Sequence, residues 1–131
     1  MESILLSINP EYAARILAGS KKYEFRKKLA NRPVKKILIY STTPIMKVVG
    51  EVEVVKTISS SPSALWEHTK KFAGISRDKF RKYFKGCKVA YAYELGNVIQ
   101  YNPPKELNDF NVGLPPQSFI YLSVEQIKNC P

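Results

Sequence analysis

With 131 residues and a net charge of +10, from 21 Lys and Arg against 11 Asp and Glu, the chain is long enough to bury a core without disulfides or a structural metal. Its charge points to a polyanionic partner, because each phosphate neutralised by Lys or Arg releases condensed counter-ions. No apolar run approaches the roughly 18 residues of a membrane span, so a soluble single domain over residues 1–131 with no membrane partner is expected.

Met1-Glu2-Ser3 followed by Ile4-Leu5-Leu6 lacks the basic and long apolar regions of a secretory signal, which places the expected location in the cytoplasm. Ser3 to Ile8 is an apolar run of strand length. Asn9-Pro10 ends it and starts a helix: Asn is a good N-cap, Pro is pre-organised for the first helical position, and Glu11 suits the positive end of the dipole. Tyr12, Ala13, Ile16 and Leu17 mark its buried face, and Gly19 supplies the left-handed residue that terminates it after about two turns. A strand over Lys21 to Arg26 follows, then a basic loop through Pro33.

Lys36 to Thr43 reads as a strand covered on both faces, since Ile37-Leu38-Ile39-Tyr40 is continuously apolar. Ser41-Thr42-Thr43-Pro44 ends it with hydroxyl residues that suit either a turn or a ligand contact. Val48 to Ile58 alternates as a half-buried strand. Ser61 and Pro62 cap a helix carrying Leu65, Trp66 and Phe72, and a second helix runs from Ser76 to about Phe84 with Phe80, Tyr83 and Phe84 as a buried stripe. Trp66 is read as packing and His68 as surface. Lys79, Arg81, Lys82 and Lys85 form a basic surface on the opposite face, where charge rather than stacking is expected to matter.

Lys88 to Leu95 is the next strand. Gly96-Asn97 then leaves Val98 to Tyr101 as a hairpin partner or as an extension through a bulge. Asn102 to Gln117 loops to a last strand, Ser118 to Leu122, and Ser123 caps a turn of helix from Val124 to Lys128. Six short strands with irregular connections favour an α+β fold, a small, mixed, mostly antiparallel β-barrel with peripheral helices. Cys87 and Cys130 match no metal spacing and His68 is the only histidine, so neither a metal nor another cofactor is expected.

The most concentrated chemistry lies at Lys21, Glu24 and Arg26. Alternation puts Glu24 and Arg26 on one face, and Lys22 with them if the strand already begins there. In solvent such a cluster has little energetic worth, whereas in a cleft it binds anions or handles protons. Cast for recognition, Arg26 grips a phosphate, Lys21 adds a point charge and Glu24 orients Arg26 or accepts from a base or hydroxyl. Cast for catalysis, Glu24 is a general base, Lys21 an acid or stabiliser, and Arg26 faces developing charge. An ion pair that merely ties the strand to its neighbour is the third reading.

Gly19-x-Lys21-x-x-Glu24-x-Arg26 after a helix resembles the signature of the ASCH domain, in the PUA-like superfamily. Tyr40-Ser41-Thr42-Thr43-Pro44, Val49-Gly50-Glu51-Val52 and Pro115-Pro116-Gln117-Ser118-Phe119-Ile120-Tyr121-Leu122 extend the resemblance over essentially the whole chain. It implies a pseudo-barrel with a cleft near the signature, and RNA as the partner with DNA as a second. Lys21, Lys22, Glu24, Arg26, Ser41, Thr42, Gln117 and Ser118 are the candidate binding residues. Some small members are assigned hydrolysis of RNA or of modified nucleosides, which would make Lys21, Glu24 and Arg26 catalytic. In the amidohydrolase-like members a Thr stands where this chain has Glu24, so that hydroxyl nucleophile is missing here. A protein-interaction module is the remaining alternative.

Overall fold

The computed structural model describes residues 2–128, so Cys130 lies outside the described residues. The elements in chain order are β1 (Glu2–Ile8), α1 (Pro10–Ala18), β2 (Tyr23–Arg26), β3 (Val34–Ser41), β4 (Lys47–Ser60), α2 (Pro62–Thr69), α3 (Arg77–Tyr83), β5 (Ala90–Lys105), β6 (Phe119–Leu122) and α4 (Val124–Lys128). The strands form one sheet in the order β2-β5-β4-β3-β1-β6. Only β1 and β3 pair in parallel, with Ile4 opposite Ile37 and Leu6 opposite Ile39, and the other four pairings are antiparallel. A parallel pair needs a crossover, which α1 and β2 supply.

The continuous apolar runs of β1 and β3 are explained by burial on both faces. Ile4, Leu6, Ile37 and Ile39 pack with Ala13 and Ile16 of α1 and with Val52, Val54 and Tyr93. The alternate residues Leu5, Leu38 and Tyr40 pack on the other side with Val48, Phe110, Val112 and Leu122. A third cluster joins Phe25 of β2 and Ala90 and Ala92 of β5 to Leu65, Phe80 and Phe84 of the helices.

The α+β class and the peripheral helices are as expected, but the barrel is not. The hydrogen-bonded ladder stays open, with β2 and β6 as its two edges. Each edge strand has four residues and pairs on one side only, β2 with β5 and β6 with β1, so no ladder joins them. Side chains bridge the gap instead: Arg26 of β2 reaches the Ser7 carbonyl of β1, and the Tyr93 and Tyr121 hydroxyls accept from the Ala30 and Arg32 amides of the β2–β3 loop.

Gly96-Asn97 is not a hairpin turn. β5 runs straight through it, and its register against β4 shifts nearby, between Val52 and Val54 and between Val54 and Lys56. A Cβ at Gly96 would meet only the movable end of the Glu53 side chain and, at 3.0 Å, Val55 Cγ2, so the glycine eases packing inside a bulged pair. The strand continues to Lys105, and a 3₁₀ turn over Leu107–Phe110 sets Phe110 into the second core cluster, so the expected loop from Asn102 is shorter than its composition suggested.

A buried Lys, Glu and Arg pocket

Local caps fix where Lys21 goes. The Asn9 side chain accepts from the Glu11 amide at 2.9 Å and starts α1, and Gly19, at φ 84°, ends it. The amides of Ser20 and Lys21 then both turn back to the Arg15 carbonyl, at 3.0 and 3.1 Å. This reversal tucks Lys21 inward, where it is 3% exposed. Its Nζ donates to the Ala73 carbonyl at 2.7 Å and lies 4.9 and 5.3 Å from the ring centres of Phe25 and Tyr12. Burial lowers its pKa from the ordinary 10.5 to about 8; Glu24 opposes the shift, and the cations Arg15 and Arg26 reinforce it.

Glu24 is also buried. Arg26 donates to one of its oxygens twice: Nε and Nη2 both reach Oε2, at 3.1 and 2.7 Å. Nη2 also reaches the Ser7 carbonyl at 3.1 Å, and Nη1 the Ser118 hydroxyl at 3.4 Å. Glu24 Oε1 therefore has no hydrogen bond among the described residues. Arg15, held by Glu11 at 2.6 Å, donates to the Gly74 carbonyl at 2.8 Å and fixes the backbone behind Lys21.

These groups line a cavity of about 170 Å³ with Ser7, Asn9, Tyr12, Ile75 and Tyr83. That is below the several hundred Å³ typical of drug-sized ligands, so it admits one group, such as a phosphate or a base edge, rather than a whole large molecule. Lys21 and Arg26 against Glu24 give the pocket an excess positive charge. A wider cavity of about 830 Å³ lies elsewhere, between β4 and α4. Its Lys36 and Glu51 are paired at 2.9 Å, and it holds none of Lys21, Glu24 and Arg26.

Of the expected residues, Lys21, Glu24 and Arg26 converge, and Ser118 joins them through Arg26. Lys22 does not: β2 begins one residue later, and the exposed Lys22 Nζ sits over Phe72 at 4.4 Å. Phe72, expected on the helix that begins at Ser61-Pro62, lies instead in the 3₁₀ turn Lys70–Phe72 that follows it, and is 44% exposed. Ser41 is buried at the end of β3, Thr42 accepts from the Ile45 amide in the following turn, and Gln117 is exposed; none of the three lines the pocket, so the turn reading of that stretch holds. His68 is exposed, as expected.

Tyr83, expected in the buried stripe, is 36% exposed and lines the pocket, and partial burial raises its pKa. Ser7, Asn9, Tyr12 and Ile75 carried no signal of their own. Asn9 and Tyr12 were legible only as cap and helix face, although the reversal at Gly19 folds Lys21 back against that same helix. Among the described residues no cluster of three or more His, Cys, Asp or Glu could hold a metal.

Fold and pocket together define a small α+β domain in which a curled, open sheet presents a buried Lys and Glu with a partly buried Arg beside the end of its first strand. A family model described as ASCH domain matches residues 6–105, and the chain belongs to that family. In Ureaplasma parvum it is similar to a protein named ATP synthase subunit alpha, 34% identical over 122 residues, and to one named large ribosomal subunit protein uL22, 30% identical over 122 residues. Both matches take in 92% of this chain, which spans only 15% and 39% of those proteins. An ASCH domain-containing ribonuclease of Zymomonas mobilis is 29% identical over 126 residues, covering 93% of this chain and 85% of that one. The crystal structure of ASCH from Zymomonas mobilis superposes with a TM-score of 0.88 at 28% identity, over 97% of this chain and 92% of the other. The N-terminal domain of Staphylothermus marinus McrB, at 12% identity and a TM-score of 0.62 over 98% and 92% of the two chains, shares the fold alone.

Proposed function

We propose that this chain is a cytoplasmic RNA-binding domain whose Lys21, Glu24 and Arg26 pocket takes one phosphate or base edge of the strand. The observation that carries the reading is a buried Lys21 and a partly buried Arg26 around a single buried carboxylate, one oxygen of which accepts no hydrogen bond among the described residues, in a cavity sized for one group. The exposed Lys79, Arg81, Lys82 and Lys85 add backbone contacts, and DNA is a weaker partner through the same charge. Fluorescence anisotropy with single-stranded RNA tests this. Affinity should fall steeply between roughly 50 and 200 mM salt. Lys21→Met, which keeps the side-chain volume, should cost about ten-fold or more at physiological salt, because it removes a charge-assisted contact worth roughly 1.5–3 kcal/mol. Lys82→Ala should cost about five-fold at most. Equal small losses would mean binding through diffuse charge.

A second reading, RNA cleavage, is favoured by the lowered pKa of Lys21 beside the Glu24 carboxylate, and by the name of the Zymomonas relative. Glu24 would accept the proton of a ribose 2′-hydroxyl as its oxygen attacks the adjacent phosphorus. Lys21 would give a proton to the departing 5′-oxygen, and Arg26 would face the extra charge on the phosphorane. The products would be a 2′,3′-cyclic phosphate and a 5′-hydroxyl. Mass spectrometry of digested RNA should find that cyclic end, Glu24→Gln should abolish it, and 2′-deoxy substrates should stay intact. Cleavage unchanged in Glu24→Gln would exclude this site.

A further inference from the structure

A second groove of about 460 Å³ lies between α2 and α3, with Trp66, Phe80 and Phe84 in its walls and Arg77, Arg81 and Lys85 beside them. Arg77, Arg81 and Lys85 recur every four residues, so they form one stripe on α3 and its continuation. All three are exposed, and none is paired with a carboxylate among the described residues. Arg77 and Arg81 stand one turn apart on α3, where like charges repel and an external polyanion would relieve the repulsion, and Lys85 follows in the turn just past the helix end. The acidic residue of the groove, Glu67, is held by Lys70 at 2.7 Å and attracts Arg77 only more weakly. Trp66 packs against the third core cluster, as expected, its ring centre 5.1 Å from that of Phe80, but it is only half-buried, and its remaining surface lines the groove.

We propose that this groove is a second nucleotide subsite, in which Trp66 stacks a base of single-stranded RNA while Arg77, Arg81 and Lys85 hold its phosphates. The proposal rests on the RNA reading and extends it. Helix α3 separates the two sites: its Tyr83, with Ile75 of the connector before it, lines the Lys21 pocket, and Arg77, Phe80 and Arg81 line the groove. A helix is about 10–12 Å across, so a strand anchored at Lys21 reaches the groove within a few nucleotides, passing the exposed Lys79 and Lys82. An aromatic wall beside unpaired cations is the combination that binds single strands with little sequence preference.

Trp66 is the only tryptophan, so its fluorescence reports on the groove directly. Titrate the full chain with a dinucleotide, a ten-nucleotide single-stranded RNA and a poly-glutamate peptide, following both Trp emission and anisotropy. The ten-mer should quench Trp66 and bind at least ten-fold more tightly than the dinucleotide, which should bind without quenching. Arg77→Ser/Arg81→Ser, both at exposed positions, should remove the quenching and bring the ten-mer down to dinucleotide affinity with an unchanged melting temperature. Trp66→Phe should weaken ten-mer binding several-fold and provides a check independent of charge. Ten-mer binding that leaves Trp66 emission unchanged, or that the double serine variant retains, would overturn the subsite while leaving the RNA reading intact. Quenching by the peptide but not by RNA would overturn it in favour of a protein partner. Failure of both oligonucleotides to bind would sink the RNA reading and the subsite with it.

Discussion

Lys21 is the residue whose chemistry the fold alters most. Its folded pKa, about 8, lies below the ordinary 10.5. Between those values the unfolded chain binds more protons, so stability must rise as pH rises through that window, and the cost of the buried ammonium is fully present below it. Relative to Lys21→Met, the wild-type protein should gain roughly 2 kcal/mol between about pH 7.5 and 9.5, read from urea unfolding at the two pH values. Anion binding should run the other way, because the same deprotonation removes the positive charge. The wild-type affinity for RNA should therefore weaken above about pH 8, while that of Lys21→Met stays flat across the window. A wild-type stability curve parallel to that of the variant would mean that Lys21 is not buried as a cation.

The element that holds Lys21 in place is the connector from the 3₁₀ turn Lys70–Phe72 to α3. Gly74 adopts φ +65°, and a Cβ there would stand 2.4 Å from Lys21 Cβ. Gly86 has a similar φ, +83°, with nothing within 4 Å. Gly86→Ala should thus cost only the backbone strain of a left-handed residue, about 1 kcal/mol. Gly74→Ala adds a collision with the wall of the pocket, so it should lower the melting temperature further and also weaken RNA binding, whereas Gly86→Ala leaves binding intact. The same contrast shows what was legible in the sequence. The caps at Asn9-Pro10, Gly19, Ser61-Pro62 and Ser76 depend on their own neighbours and could be read from them. Gly74 touches a residue distant in sequence, and Gly96 is a bulge rather than a turn only because β4 lies beside it. Tyr83 was lost in the same way: its spacing fits the apolar stripe, and only the placement of β2 turns it to the pocket.

At the scale of the whole molecule, closure was the feature local pattern could not supply, because whether a curled sheet meets itself depends on its two edge strands. Here they do not pair, and Arg26 is the one of the bridging side chains that also holds the charge of the pocket. Its guanidinium binds Glu24 on its own strand, the Ser7 carbonyl of β1 and the Ser118 hydroxyl just before β6. Both partners of the ion pair are mostly buried, 18% and 9% exposed at the side chain. Removing one leaves the other without its counter-charge, the costly case for such pairs. Arg26→Ala should therefore destabilise by about 2–4 kcal/mol and speed amide exchange along β2 and β6 ahead of β3 and β4. Replacing both partners by apolar groups of similar size, Arg26→Met with Glu24→Leu, should recover most of that stability, because the stranded carboxylate is gone. It should not recover RNA binding. Stability that returns while binding stays lost would separate the two roles of Arg26, as a tie across an open sheet and as an anion contact. If the single variant melts with the wild-type protein, the sheet edges are held by the tyrosine hydroxyls and the loop they anchor, and Arg26 serves the pocket alone.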